Sequence, residues 1–318
     1  MRPDHRRPLA YLMATVLLWG TSFAVTKSAY ASFPPMTVMW LRMVLALVVA
    51  LPLLWRLPRP DYRRGDWKYL GLSGLFIPCL YFALEGYAIT FTSSSQAGVV
   101  AAVMPLIVGL AAWVFLRERP TWQRIAAILA SMLGVAMLSL GGVEQQAVPN
   151  PALGNLLELG AMVAAAGSTI TIKHLSARYD PWLLTCFQMA VGSVFFAPLA
   201  LAQGGTDWAA VPAEAWLAVA YLGVGCGLAA FGLYNSALKL IPATSAALAI
   251  NLIPAVAMIT GWLALGETMS PLQIAACLLI IAAVGFAQLS VGPADRAPRA
   301  VTSRSLPEPA ASGGQDRG

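Results

Sequence analysis

Charge is what this chain has least of. Only 11% of its 318 residues are Asp, Glu, Lys or Arg, against about 25% in a soluble domain, so it cannot clothe a water-facing surface. Histidine is almost missing: His5 and His174 stand far apart. Cys79, Cys186, Cys226 and Cys277 are scattered singly, with no Cys-x-x-Cys. These gaps remove the support for a zinc site or a disulfide framework and leave the thiols as small packing residues. No Gly-x-x-x-x-Gly-Lys-Ser/Thr loop is present, so ATP hydrolysis by this chain has no basis. Neither His-Glu-x-x-His nor Gly-x-Ser-x-Gly occurs, so an embedded enzyme has no recognisable constellation. No cofactor and no metal are expected.

What is present is apolar: 58% of residues, at a mean hydropathy of +0.70. Spanning a bilayer takes about 20 apolar residues in helix. Runs of that kind number ten, at roughly 9–27, 36–54, 67–89, 92–116, 121–140, 153–173, 181–202, 213–233, 241–265 and 271–290. Breaks at Phe33-Pro34-Pro35, Leu57-Pro58-Arg59-Pro60, Arg119-Pro120, Pro149-Asn150-Pro151, Gly204-Gly205 and Ser270-Pro271 separate them, as helix stops and starts should. The tightest breaks lie near Thr92 and Lys239.

The chain also repeats itself. Pro105, Trp113, Glu118 and Ile125-Ala126-Ala127 return, without a gap, 149 residues later as Pro254, Trp262, Glu267 and Ile274-Ala275-Ala276. A period that long marks two halves, not a solenoid, whose repeats run to about 20–50 residues. Gly20-Thr21-Ser22 is echoed by Gly167-Ser168-Thr169, so the first apolar run reads as a retained helix rather than a cleaved signal peptide. Residues 9–140 form the first five-helix repeat and 153–290 the second. Residues 141–152 link them externally, 1–8 precede them, and 291–318 form a disordered tail.

Basic residues set the orientation. Arg2, Arg6, Arg7, Arg56, Arg59, Arg63, Arg64, Lys68, Arg117, Arg119, Arg124, Lys173, Arg178, Lys239, Arg296, Arg299, Arg304 and Arg317 share one side if the count is ten. Glu144, Asp207, Glu214 and Glu267 take the other, with Lys27 the basic exception. The positive-inside rule then places both termini in the cytoplasm. That distribution explains the +6 net charge without nucleic acid; the lipid bilayer is the partner. Five spans per repeat, an odd number, turn the second half upside down, the design of alternating-access transporters.

Trp19-Gly20-Thr21-Ser22-Phe23, Arg42 and the paired runs Pro105 to Glu118 and Pro254 to Glu267 resemble the EamA family of the drug/metabolite transporter superfamily. The resemblance covers about residues 9–290. It implies a bacterial inner-membrane permease with two inverted repeats that moves, and in many cases exports, small metabolites, amino acids or drugs. Arg117 departs from the pattern, since the second half has Gly266 there; a slightly altered turn is expected.

An ionisable side chain at membrane depth costs about 2.5–3.5 kcal/mol on insertion scales, so Lys27, Arg42, Glu85 and Glu158 stand out. Counting places Arg42, Glu85 and Glu158 at one depth in the outer third. One reading gives Glu85 a proton-exchanging role and Arg42 a substrate carboxylate; the other simply pairs them to lock spans two and three. Glu158 reads as reaching the outer interface, and Lys27 as snorkelling. Trp19, Tyr81, Gln96, Gln188 and Asn251 are further candidates for binding or coupling, and Tyr87 reads as pathway or interface. Pro105 and Pro254 fall mid-span, each removing a backbone hydrogen bond, and predict kinked helices lining a cavity. Glu118 and Glu267 are expected to organise the turns into spans five and ten. Gly225-Cys226-Gly227-Leu228-Ala229-Ala230 lacks the βαβ context of a nucleotide site, and Gly223 with Gly227 reads as close helix packing. The function expected is a secondary transporter of small molecules, with protons as the drive; a passive facilitator, an embedded enzyme and a scaffold are the alternatives.

Overall fold

Helices account for every regular element among the described residues of the computed structural model, which are 6–91, 100–118, 121–140, 149–257, 259 and 270–289. The side chain of Lys27 and the residues Gln96, Glu144, Trp262, Glu267 and the tail lie outside that description, as does the break near Thr92. In chain order the helices are α1 (Arg6–Tyr30), α2 (Pro35–Leu54), α3 (Asp66–Gly74), α4 (Tyr81–Phe91), α5 (Met104–Ala111), α6 (Trp122–Leu140), α7 (Pro151–Leu175), α8 (Pro181–Gln203), α9 (Ala213–Ala220), α10 (Phe231–Leu240), α11 (Ala243–Ile250) and α12 (Pro271–Leu289). Wider π-type turns over Leu75–Leu80 and Tyr221–Ala230 join α3 to α4 and α9 to α10.

Five helical stretches are long and apolar enough to cross a bilayer: Pro35–Leu54, Asp66–Ala88, Ala152–Leu175, Pro181–Gln203 and Ala213–Leu240. Four shorter apolar helices accompany them, Met104–Leu116, Trp122–Met137, Ala243–Ala257 and Pro271–Ala287. The eighth stretch runs on to Leu240, past the expected end at 233. Nothing between 233 and 240 breaks a helix, whereas Ile241 is extended (φ −129°, ψ 164°) because it precedes Pro242.

Local sequence sets the ends. Asn150 accepts a hydrogen bond from the Leu153 N–H and Asp180 one from the Trp182 N–H, and a proline opens each helix. Ser270 and Gln273 cap each other reciprocally, Ser270 N–H to Gln273 Oε1 at 2.8 Å and Gln273 N–H to Ser270 Oγ at 3.2 Å. Arg117 ends the fourth stretch in the left-handed region (φ 56°, ψ 27°) that glycine adopts most readily; its counterpart Gly266, against which an altered turn was expected, lies outside the described residues.

Helices of the two halves interleave: α2 packs on α8, α4 on α7, α6 on α12, and α1 on α10 with the turn before it. Gly223 permits one of these approaches, since a Cβ there would lie 2.7 Å from the Arg42 carbonyl oxygen. The packing reading of the glycine-rich run therefore holds. All four cysteines are buried and free, and Cys226 donates to Leu18 O.

Contacts also sort the helix ends. At one end Arg178 pairs with Asp66, the Tyr179 hydroxyl donates to Asp66 Oδ2 at 3.0 Å, and His174 lies 4.4 Å from the Tyr69 ring. Burial and that hydrogen bond to a carboxylate push the Tyr179 phenol up to about 12. At the other end the Met36 N–H donates to Gln203 Oε1, and Phe33 meets Trp216 edge-on at 5.2 Å.

Candidate functional site

Three helices carry charge inward from the second of these ends, buried at Arg42 and Glu158 and half-buried at Glu85. Arg42 lies seven residues into α2, Glu158 seven residues into α7, and Glu85 six residues before the end of α4. At 1.5 Å per residue each is about 10 Å deep. Arg42 is 6% exposed and Glu158 3%. Glu158, expected to reach the outer interface, is buried in the packed helices.

Arg42 and Glu85 do not pair. Among the described residues no ion pair joins them, and Glu85 Oε1 instead accepts from the Tyr81 hydroxyl at 2.6 Å, one turn earlier on α4. The Arg42 guanidinium sits over the Phe82 ring, 5.1 Å from its centroid. Its Nε has no hydrogen-bond partner, nor does Glu158 Oε2. Yet the groups feel one another: Glu85 lies within electrostatic reach of Arg42 and of Glu158, and Tyr81 of all three. Tyr30, at the end of α1, lies within electrostatic reach of Arg42 and Glu85 as well. Neither Tyr30 nor Phe82 stood out in the sequence. An aromatic near a helix end has many uses, and only the fold brings these two to the charges.

The aromatic wall continues inward. Phe82 lies 6.4 Å from Phe231, and Trp19 packs edge-on against Phe231 at 4.8 Å and beside Tyr234 at 5.6 Å. Trp19 Nε1 donates to Cys226 O at 3.2 Å, so its ring is held from the other half.

The remaining candidates go elsewhere. Gln188 caps a broken helix: Ile77 leaves helical geometry (φ −131°, ψ 124°), and Gln188 Nε2 donates to its carbonyl at 3.1 Å and to Ser168 Oγ at 3.2 Å. Asn235 Nδ2 donates to Gln188 Oε1 and to Thr185 Oγ1. Asn251 Nδ2 donates to Ser131 Oγ at 2.8 Å and Ala102 O at 3.4 Å. Gln96 lies outside the described residues. Pro105 and Pro254 each follow a two-residue turn, at 102–103 and 251–252, where the helix stops and restarts. Tyr87 and Trp113 are exposed.

Glu118 differs from expectation. Rather than ordering the entry to α6, its carboxylate crosses to the second half and caps α11. Oε1 accepts from the Ala243 N–H at 2.9 Å, and Oε2 from the Thr244 hydroxyl at 3.3 Å. Beside it, Lys173 Nζ donates to Leu238 O at 2.6 Å and Ile241 O at 2.8 Å, closing the end of α10.

A separate groove of about 450 Å³ is lined by Cys79, Ala190, Val191, Val194 and Phe195. No charged side chain lines it.

Comparison with known proteins settles the family. The model of the EamA-like transporter family matches residues 6–140 and, a second time, 152–288. The chain belongs to the EamA-like transporter family. This EamA-like protein is 27% identical over 279 residues, 86% of its length and 90% of the relative's, to a probable terminal-alkyne amino-acid exporter of Streptantibioticus cattleyicolor. It is 27% identical over 275 residues, 82% of each chain, to an S-adenosylmethionine/S-adenosylhomocysteine transporter of Chlamydia trachomatis. The uncharacterized transporter YcxC of Bacillus subtilis shares 26% identity over 291 residues, 88% of this chain and 93% of that one. A crystal structure with 21% identity superposes at a TM-score of 0.75, covering 91% of this chain and 98% of the other, which shows the fold. Family and relatives together point to a multi-pass membrane transporter and not an enzyme.

Proposed function

We propose that this EamA-like transporter is a secondary exporter of small charged metabolites, such as amino acids or drugs, working by alternating access. Its spans form two inverted five-helix repeats with the basic ends in the cytoplasm. The observation that carries this reading is the unpaired state of Arg42 and Glu85. A buried guanidinium and a carboxylate at one depth, kept apart by the Tyr81 bond and the Phe82 ring, are poorly explained as a structural lock. Left unmatched they are costly, and that cost is understandable if the cavity's occupant changes during a cycle. Arg42 receives the anionic group of the substrate through its two-pronged donor geometry. Glu85 takes and releases the proton. Relatives named for exporting an amino acid and for moving S-adenosylmethionine support a substrate of this kind.

Proteoliposomes loaded with a pH dye test the reading, with amino acids and cationic drugs as probes. Substrate-triggered proton movement that disappears in Glu85→Gln is the expected result. Flux without any pH signal would make the protein a facilitator, with Glu85 a packing partner of Tyr81.

A further inference from the structure

We propose that the connection between α2 and α3 is a docking surface for anionic phospholipid headgroups, which bind there through their phosphates. Two bilayer-crossing stretches, Pro35–Leu54 and Asp66–Ala88, bracket this connection, so it lies where a leaflet presents its headgroups. Arg56, Arg59, Arg63, Arg64 and Lys68 are all exposed. Among the described residues only Arg63 of the five meets a carboxylate, Asp61 at 3.8 Å, and that pair is itself exposed, at 68% and 71%. An exposed pair of that length contributes little. The other acid, Asp66, is buried and already taken by Arg178 and by the Tyr179 hydroxyl. The protein therefore leaves a positive field here without an answering charge of its own.

Aromatic side chains show at what level the surface sits. Trp55 is 89% exposed, Trp67 64% and Tyr62 56%, and Lys68 Nζ lies 5.8 Å from the centre of the Trp67 ring. Tryptophan and tyrosine gather at the headgroup level of a bilayer. The segment is also held in shape. Asp66 Oδ2 accepts from the Arg63 N–H, and the Arg63 carbonyl from the Asp66 N–H, both at 3.0 Å. Gly65 turns the chain there in the left-handed region (φ 108°), and Pro58 and Pro60 restrict what precedes it. A fixed backbone loses little freedom when a ligand docks on its arginines, whose planar donors match phosphate oxygens. Residues 204–212, which join two spans at the other end, have Asp207 and Trp208, the latter 53% exposed, but no basic residue. Aromatic anchoring is thus common to both ends, and the arginine cluster sets this one apart.

Native mass spectrometry tests this on the purified full-length protein, released from nanodiscs of equal parts phosphatidylglycerol and phosphatidylcholine. One basic residue near an anionic surface is worth about fivefold in binding. Wild type should therefore retain phosphatidylglycerol over phosphatidylcholine by at least about fivefold. Arg63→Gln with Arg64→Gln should cut that ratio by about threefold or more, whereas Arg63→Lys with Arg64→Lys keeps the charge and should keep most of the ratio. Equal retention of the two lipids by wild type overturns the proposal without any variant being needed. So does an unchanged ratio when Arg56, Arg59, Arg63 and Arg64 are all replaced by glutamine, since the preference then belongs to another surface. A third arm separates lipid from soluble anion. If inorganic phosphate abolishes the preference where chloride of equal ionic strength leaves it intact, the surface takes free phosphate, and the lipid assignment is overturned.

Discussion

Asn251 donates from Nδ2 to the main-chain carbonyl of Ala102, 3.4 Å away and 149 residues earlier in the chain. That separation is the repeat offset itself, so a residue touches its own counterpart. Both lie in the two-residue turns that interrupt their helices just before Pro105 and Pro254. The broken segments of the two halves thus meet at their breaks, where a freed carbonyl needs a donor.

Asn251→Ala should therefore destabilise the protein by about 1–3 kcal/mol, since it leaves the Ala102 carbonyl without this donor while Ser131 keeps only its bond to Ile128 O. Thermal unfolding in detergent reads this out. Ser131→Ala should cost less, because Asn251 keeps its bond to the backbone.

Glu118→Gln removes a negative charge from the start of α11 and should lower stability by about 1 kcal/mol, Glu118→Ala by up to about 2 kcal/mol. The loss should shrink at high salt for the charge part only. If both variants melt with wild type across salt concentrations, the cap contributes nothing.

Gly223→Val is expected to force α2 off the helix it packs on, because even a Cβ would meet the Arg42 backbone at 2.7 Å. A stability loss of roughly 1–3 kcal/mol should accompany it. Flux should fall further than in an equally destabilised variant elsewhere, since the displaced residue is Arg42.

Arg117→Gly should be neutral or more stable by up to about 1 kcal/mol, because glycine accepts φ 56° without the Cβ clash. A lower melting temperature would show that the arginine side chain contributes more than its backbone costs.

Much of this was legible in the chain itself. Pro105 and Pro254 mark interrupted helices, because proline has no N–H to give. Ser270-Pro271 and Asn150-Pro151 announce helix starts because their caps act within three residues. Arg42, Glu85 and Glu158 announce themselves because charge is scarce in an apolar chain, and counting from helix ends places them at one depth. Partnership was not legible. Glu118 and Gln188 were assigned to a turn and a site, but one closes a helix 125 residues away and the other a break 111 residues away.

The sequence by itself determined membrane residence, the repeat, the family and the depth of the buried charges. All of these depend on hydropathy, period and the 1.5 Å rise of a helix, which are properties of the chain taken locally. Only the tertiary structure decided which charges are left open. Whether Arg42 meets Glu85 depends on how α2 and α4 rotate about their axes. That rotation is set by contacts such as Gly223 against the Arg42 backbone and Gly160 against Leu84. Such contacts join residues far apart in sequence, and a hydrogen bond needs its partners within about 3 Å. A count along the chain fixes height in the membrane, while the facing of a side chain is fixed by its neighbours.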